Sequence, residues 1–398
     1  MDKRVISVLV ATAALAGASL MVLTAGPAAA TTVTDEASLR AAFGNAAETQ
    51  IDLDADITLS SVCPNGEVTR TSSTTVVVDG HGHTVTQTCA SGNNSVFVNA
   101  AGGDLQFRNI TITGGSSAAN GGGIATAGGD VSLTNSSVTG NSGGAGGGIA
   151  ANSGGTVGLT NSTVSNNSAS AGGGGILASA VGMTNSTVSG NTAGANLGGG
   201  IEVPGSGLVS LTNSTVSGNT AGTEGGGVVA FDVTLVYSTV AGNSAPQGAN
   251  LDIRSLDTLT AFGSVVALPA GGGGNCFFEQ GQSTTSNGSN WDDDASCGFG
   301  AGPGDHSNGG DPLLGALANN GGSTQTQLPQ PGSPLIDAIP VASCQADGAS
   351  GITADQRGVT RPQGSGCDIG AVEVAPVTPP VVTPAPATPL PITPAFTG

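Results

Sequence analysis

Three short segments carry the residue types that chemistry would need. Asp79-Gly-His-Gly-His83 sets a carboxylate beside two imidazoles, a grouping that acid–base cleavage of a sugar linkage can use. Arg108, near Asp104, is the best candidate for the base of a polysaccharide lyase, because no lysine follows Lys3. Asp292-Asp293-Asp294 is the run of carboxylates suited to Ca2+, a cation that prefers oxygen ligands. Each also has a plain structural reading. Asp-Gly opens turns in its own right, no carboxylate set accompanies Arg108, and an acidic loop beside Cys297 is ordinarily just solvated. His81, Asp79 and Arg108 are thus the catalytic candidates and Asp292, Asp293 and Asp294 the metal candidates. Beyond Ca2+, no cofactor is indicated.

The elements that must position these groups come from a repeat. Leu133-Thr-Asn-Ser-Ser-Val-Thr-Gly-Asn141 is echoed from Phe107, Leu159, Met183, Leu211 and Leu235, and a second phrase, Gly-Gly-Gly-Ile, ends at Ile124, Ile149, Ile176 and Ile201. Self-similarity at this period marks a solenoid. Two short apolar phrases per repeat, each followed by turn residues, read as strands and not helices. The expected fold is all-β: a right-handed parallel β-helix of the pectate-lyase-like kind with three strands per coil. Leu133, Leu159, Met183, Leu211 and Leu235 should form one interior column, and Val138, Val164, Val188, Val216 and Val240 another. Asn135, Asn161, Asn185 and Asn213 fall at a bend, where Asn tolerates left-handed backbone and stacked amides can form a ladder. A further column is Asn141, Asn167, Asn191, Asn219 and Asn243. The outward hydroxyls of Thr163-Val-Ser165, Thr187-Val-Ser189 and Thr215-Val-Ser217 should line one face.

The ends differ from the middle. Residues 1–30 have the basic start, apolar stretch and Ala28-Ala29-Ala30 site of a secretory signal peptide. Export makes disulfides expected, and the six cysteines fall into neighbouring couples: Cys63–Cys89, Cys276–Cys297 and Cys344–Cys367. Residues 34–43 read as a short amphipathic helix that lids the first coil. The chain divides into cap helix and first irregular coils (31–106), regular repeats (107–260), last coils with a disulfide-bearing C-terminal cap (261–373), and a Pro/Thr-rich disordered tail (374–398). A net charge of −19 argues against a nucleic-acid partner, and no later stretch has the length of a transmembrane segment.

Asp311-Pro-Leu-Leu-Gly-Ala-Leu-Ala-Asn-Asn-Gly-Gly-Ser-Thr-Gln-Thr326, Pro331-Gly-Ser-Pro-Leu-Ile-Asp337, Asp355-Gln-Arg-Gly358 and Cys367-Asp-Ile-Gly-Ala371 resemble the choice-of-anchor Q domain of bacterial surface proteins. The preceding coils resemble polymorphic-outer-membrane-protein-like β-helix repeats. The resemblance implies a secreted or wall-displayed β-helix, followed by a variable anchor, without a known activity. A stiff polar rod with an outward hydroxyl face fits a structural or adhesin-like surface protein whose partners are surface glycans or host and neighbouring cell surfaces. A polysaccharide lyase or glycoside hydrolase is the alternative reading.

Overall fold

The computed structural model describes residues 30–63, 65–89, 92–254, 258–281, 283–346 and 349–375. The signal-peptide segment before Ala30 and the tail after Ala375 lie outside them. What is described is nearly all β, wound as a parallel β-helix. One face is an 18-stranded sheet and a second an 11-stranded sheet, with every pairing in both parallel.

A regular coil shows how the repeat makes this. Ile124–Ala127 and Val131–Thr134 lie on the broad face, and Ser137–Thr139 on the second. In the next coil the first two fuse into one strand, Ile149–Thr160. The three expected strand positions are therefore present, and the regular coils add a two-residue rung such as Ser142–Gly143, paired with Ser168–Ala169. The Leu133 column is in register from Phe107 through Leu159, Met183 and Leu211 to Leu235, and the Val138 column runs to Val240; every member is buried. The third column, Ile124-Ile149-Ile176-Ile201-Val228-Leu251, ends on Cys276. Glycine ahead of this column is a matter of space. A Cβ on Gly148 would lie 2.8 Å from the Gly175 carbonyl oxygen and 2.9 Å from Asn167 Nδ2.

Hydrogen bonds inside the coil are as regular as the apolar columns. Asn141 Nδ2 donates to Asn167 Oδ1 at 3.0 Å, and the chain continues through Asn191, Asn219, Asn243, Asn250 and Asn275. Its last step, Asn275 Nδ2 to Asp292 Oδ1, is 2.7 Å. Each interior amide also serves the backbone: Asn191 Oδ1 accepts from Asn167 N, and Asn191 Nδ2 donates to Val164 O. A parallel serine column, Ser136-Ser162-Ser186-Ser214-Ser238, links the N–H of each member to the hydroxyl of the next.

The N-terminal end is covered. Helix Glu36–Gly44, capped by Asp35, buries Leu39 and Phe43, and Phe43 meets Phe97 with ring centroids 5.1 Å apart. Arg70, fully buried, donates to the carbonyls of Phe43, Asn45 and Glu48 behind the helix. Disulfides join Cys63–Cys89, Cys276–Cys297 and Cys344–Cys367.

Asn191→Ala should cost roughly 2–4 kcal/mol, since it strands the Asn167 amide and the Val164 carbonyl in a dry interior. Asn135→Gly, which keeps the left-handed bend without strain, should cost under about 1 kcal/mol because water replaces the partners of the lost side chain. Denaturant midpoints of the two variants check this, and equal losses would contradict it.

Candidate functional site

The bends between the two faces form a second column of amides, this one at the surface. His81, Asn109, Asn135, Asn161, Asn185 and Asn213 all hold φ between +44 and +51°, the left-handed geometry that Asn accepts with least strain. Asn161 Nδ2 donates to Asn135 Oδ1 (3.2 Å), Asn135 Nδ2 to Asn109 Oδ1 (3.3 Å), and Asn109 Nδ2 to Asp79 Oδ1 (3.1 Å). The outer ladder therefore starts one coil earlier than expected and does not extend to Asn185 and Asn213. There the C-terminal region lies on the bend, and Asn213 Nδ2 donates instead to Ala354 O at 2.8 Å.

This ladder assigns Asp79 a structural task. Its Oδ1 also accepts from the backbone N–H of His81, and His81 is turned so that Nδ1 lies 3.2 Å from Leu53 O. His83 sits 3.2 Å from Asp56 Oδ1. Arg108 is the register neighbour of Asp79 on the adjacent strand, but its exposed guanidinium reaches Gln106 Oε1, and among the described residues no carboxylate pairs with it. His81 Nε2 lies 3.8 Å from Asp79 Oδ1, too far for a hydrogen bond, so Asp79, His81 and Arg108 are close in the fold without forming a hydrogen-bonded acid–base pair aimed at one point.

The Asp292-Asp293-Asp294 carboxylates lie within 4.8 Å of one another, yet protein donors take them up. Asp292, fully buried, accepts from Asn275 Nδ2 and from Cys297 N. Asp293 accepts from Asn275 Nδ2 and Leu268 N, and Asp294 from Asn275 N and Ser296. The triplet is the terminus of the inner ladder. Burial pushes Asp292 up to about 6 even so.

The open bend borders a groove of about 660 Å3. One wall is the amide column of Asn109, Asn135 and Asn161; the other is the hydroxyl column of Thr111, Ser137 and Thr163, in register on adjacent coils. His81 closes the upstream end, and Ser323 of the C-terminal region stands at the other. No Asp, Glu, Arg or Lys lines it among the described residues. The expected hydroxyl face does not run the length of the rod. Thr187, Ser189, Thr215 and Ser217 are buried, with Thr187 and Thr215 bonded to the C-terminal region, and only the stretch up to Thr163-Val-Ser165 is open.

A second cluster was missed in the sequence. The residue that follows the Ile column faces outward, and reading that position from coil to coil gives Leu177, Glu202, Val229, Asp252 and Phe277. Arg254 Nη2 is 2.5 Å from Glu224 Oε2 and 2.9 Å from Asp252 Oδ2, beside a cavity of about 320 Å3 that Glu202, Glu279 and Phe231 help to line. Burial pushes Asp252 up to about 7 against the pull of Arg254, and burial also raises Glu202. A carboxyl that holds a proton near neutrality beside a guanidinium can donate or accept one there. Glu202 and Asp252 stand two coils apart in that column, with Val229 between them, and this spacing was the available signal.

The match with known families is local. Residues 30–171 match the family model of a pectate lyase-like adhesive domain, a stretch that holds every residue lining the open groove except Ser323 and stops before the covered coils. No curated protein and no solved structure matches the chain. The adhesive-domain match supports a surface adhesin-like β-helix protein, and with the three disulfides it is consistent with an extracellular or surface location. No helix among the described residues is long and apolar enough to cross a membrane.

The buried carboxyls make stability fall with rising pH. Burial raises Asp252 to about 7 and both Asp292 and Asp368 to about 6, from an ordinary 3.8, so the folded chain holds protons that the unfolded chain has released. Stability should therefore decline from about pH 4 to about pH 7 and level off above. A melting temperature higher at pH 5 than at pH 8, with the upper part of the decline removed by Asp252→Asn, is the expected result.

Proposed function

We propose that this chain is a secreted or cell-surface rod whose open groove binds neutral glycans on host or neighbouring cell surfaces. The observation that carries the reading is the lining of that groove, amides on one side and hydroxyls on the other, with no charged side chain among the described residues. Sugar hydroxyls are both donors and acceptors, and a wall of carboxamides and hydroxyls offers both in return. All groove-lining residues but Ser323 lie within the adhesive-domain match, and the choice-of-anchor Q-like motifs between Asp311 and Ala371 add a surface-display context. The high negative charge keeps the rod soluble and disfavours polyanionic partners.

The alternative, a polysaccharide-cleaving enzyme, has one observation in its favour: the Asp252–Arg254 pair with its raised carboxyl beside a cavity. Asp79, His81 and Arg108 offer it less, since the ladder and the bend account for their contacts.

Two measurements separate the readings. Fluorescent beads coated with the protein should adhere to glycan-bearing cells and release when Asn135 and Asn161 are both changed to Ala. Adhesion unaffected by that double variant would remove the groove from the account. Incubation with polygalacturonate and Ca2+ should yield neither unsaturated product nor new reducing ends. Turnover abolished by Asp252→Asn or Arg254→Ala would replace the adhesin reading with the enzymatic one.

A further inference from the structure

The columns of the groove do not stop where the groove does. Thr163 is in register with Thr187, and Thr187 with Thr215, so the hydroxyl wall continues beneath the C-terminal region. What occupies it there is visible. Gln356 is 2% exposed, and its carboxamide bridges two adjacent coils: Oε1 accepts from Thr215 Oγ1 at 2.6 Å, and Nε2 donates to Thr187 Oγ1 at 2.9 Å. The same Nε2 donates to Thr324 Oγ1 (2.8 Å). Thr187 Oγ1 in turn donates to the peptide oxygen of Gln325 at 2.7 Å, and Asn213 of the amide wall donates to the peptide oxygen of Ala354 at 2.8 Å. The groups seated on the covered wall are neutral, planar amides: Gln356 meets it as both acceptor and donor, and the peptide oxygens of Gln325 and Ala354 as acceptors.

The uncovered rungs present the same side-chain types at the same coil spacing of about 4.8 Å. We infer that the open groove recognises N-acetylated sugars, the acetamido oxygen accepting from the Thr163 hydroxyl as Gln356 Oε1 accepts from Thr215, and the N–H, on the opposite edge of a trans amide, donating to the Asn oxygens of the facing wall. The inference rests on the glycan-binding reading and names the sugar class. An extended peptide could reach the wall only through side chains and peptide oxygens, as the C-terminal region does, because the strands beneath are paired on both sides, and ordering a free peptide costs more than docking a stiff β-linked glycan. Uronic acids are disfavoured by a wall without cations in a chain of net charge −19.

Three tetrasaccharides test this on the full chain by titration calorimetry: tetra-N-acetylchitotetraose, cellotetraose, and fully deacetylated chitotetraose. They share a β-1,4-linked glucose-type backbone and differ at the 2-position. The acetylated sugar should bind at least about tenfold more tightly than either of the others, because unpaired polar groups penalise an analogue that lacks the amide. Thr163→Val should abolish that preference and Thr163→Ser should keep it, while Ser132→Ala on the broad face leaves it unchanged. Equal affinity for the acetylated sugar and cellotetraose would overturn the acetamido inference and leave a glycan groove standing. Tightest binding of the deacetylated, cationic sugar would overturn it in favour of simple charge attraction. No binding of any of the three would also overturn it, and the bead-adhesion result would then decide the broader reading separately.

Discussion

The interaction on which this fold depends is the side-chain amide hydrogen bond repeated once per coil in a dry interior. Apolar columns alone favour stacking but tolerate sliding, since Leu, Ile and Val differ little in what they contact. An amide does not slide. Each inner Asn must meet the next Asn and a backbone carbonyl at once, and a coil out of register would leave both unmet at a cost comparable to a large share of the net stability of a domain. The inner ladder therefore sets register, and the apolar columns supply the burial that keeps it dry.

A line of aligned amides needs an acceptor at its donor end, and the chain supplies one in each case. The inner ladder donates toward the C-terminus and ends on Asp292; the outer donates toward the N-terminus and ends on Asp79. A carboxylate at the end suits an acceptor-only terminus, since it asks for no donor beyond it. The two aspartates that most resembled chemistry in the sequence are the terminators of two polar columns. Function is left to what the ladders do not consume, which is the open wall of the groove and the Asp252–Arg254 cluster.

Much of the fold was legible because it is periodic. The repeat located the Leu133 and Val138 columns and both Asn columns, and the αL bend followed from Asn itself. What periodicity could not show was which columns are covered. Thr163 and Thr187 occupy equivalent places in the repeat, yet one is open and the other is bonded to Gln325, more than a hundred residues away. Nothing local distinguishes them. The serine of Asn-Ser-Thr carries no local sign of its role either, yet Ser162 and Ser186 face inward and bond the backbone of neighbouring coils. The Glu202 and Asp252 cluster escaped because its residues lie in different coils and become neighbours only once register is fixed.

The C-terminal region lies along the flank of the helix instead of closing its last coil alone, and this separates the length of the rod from the length of its exposed groove. Coils are interchangeable units, since loops of unequal length are absorbed at the corners while each amide step stays the same. Duplicating one unit upstream of Thr187 would lengthen the groove by a single rung and leave the clamp, both terminating aspartates and the disulfides untouched. Reach can thus be adjusted by copying, without redesign of either end.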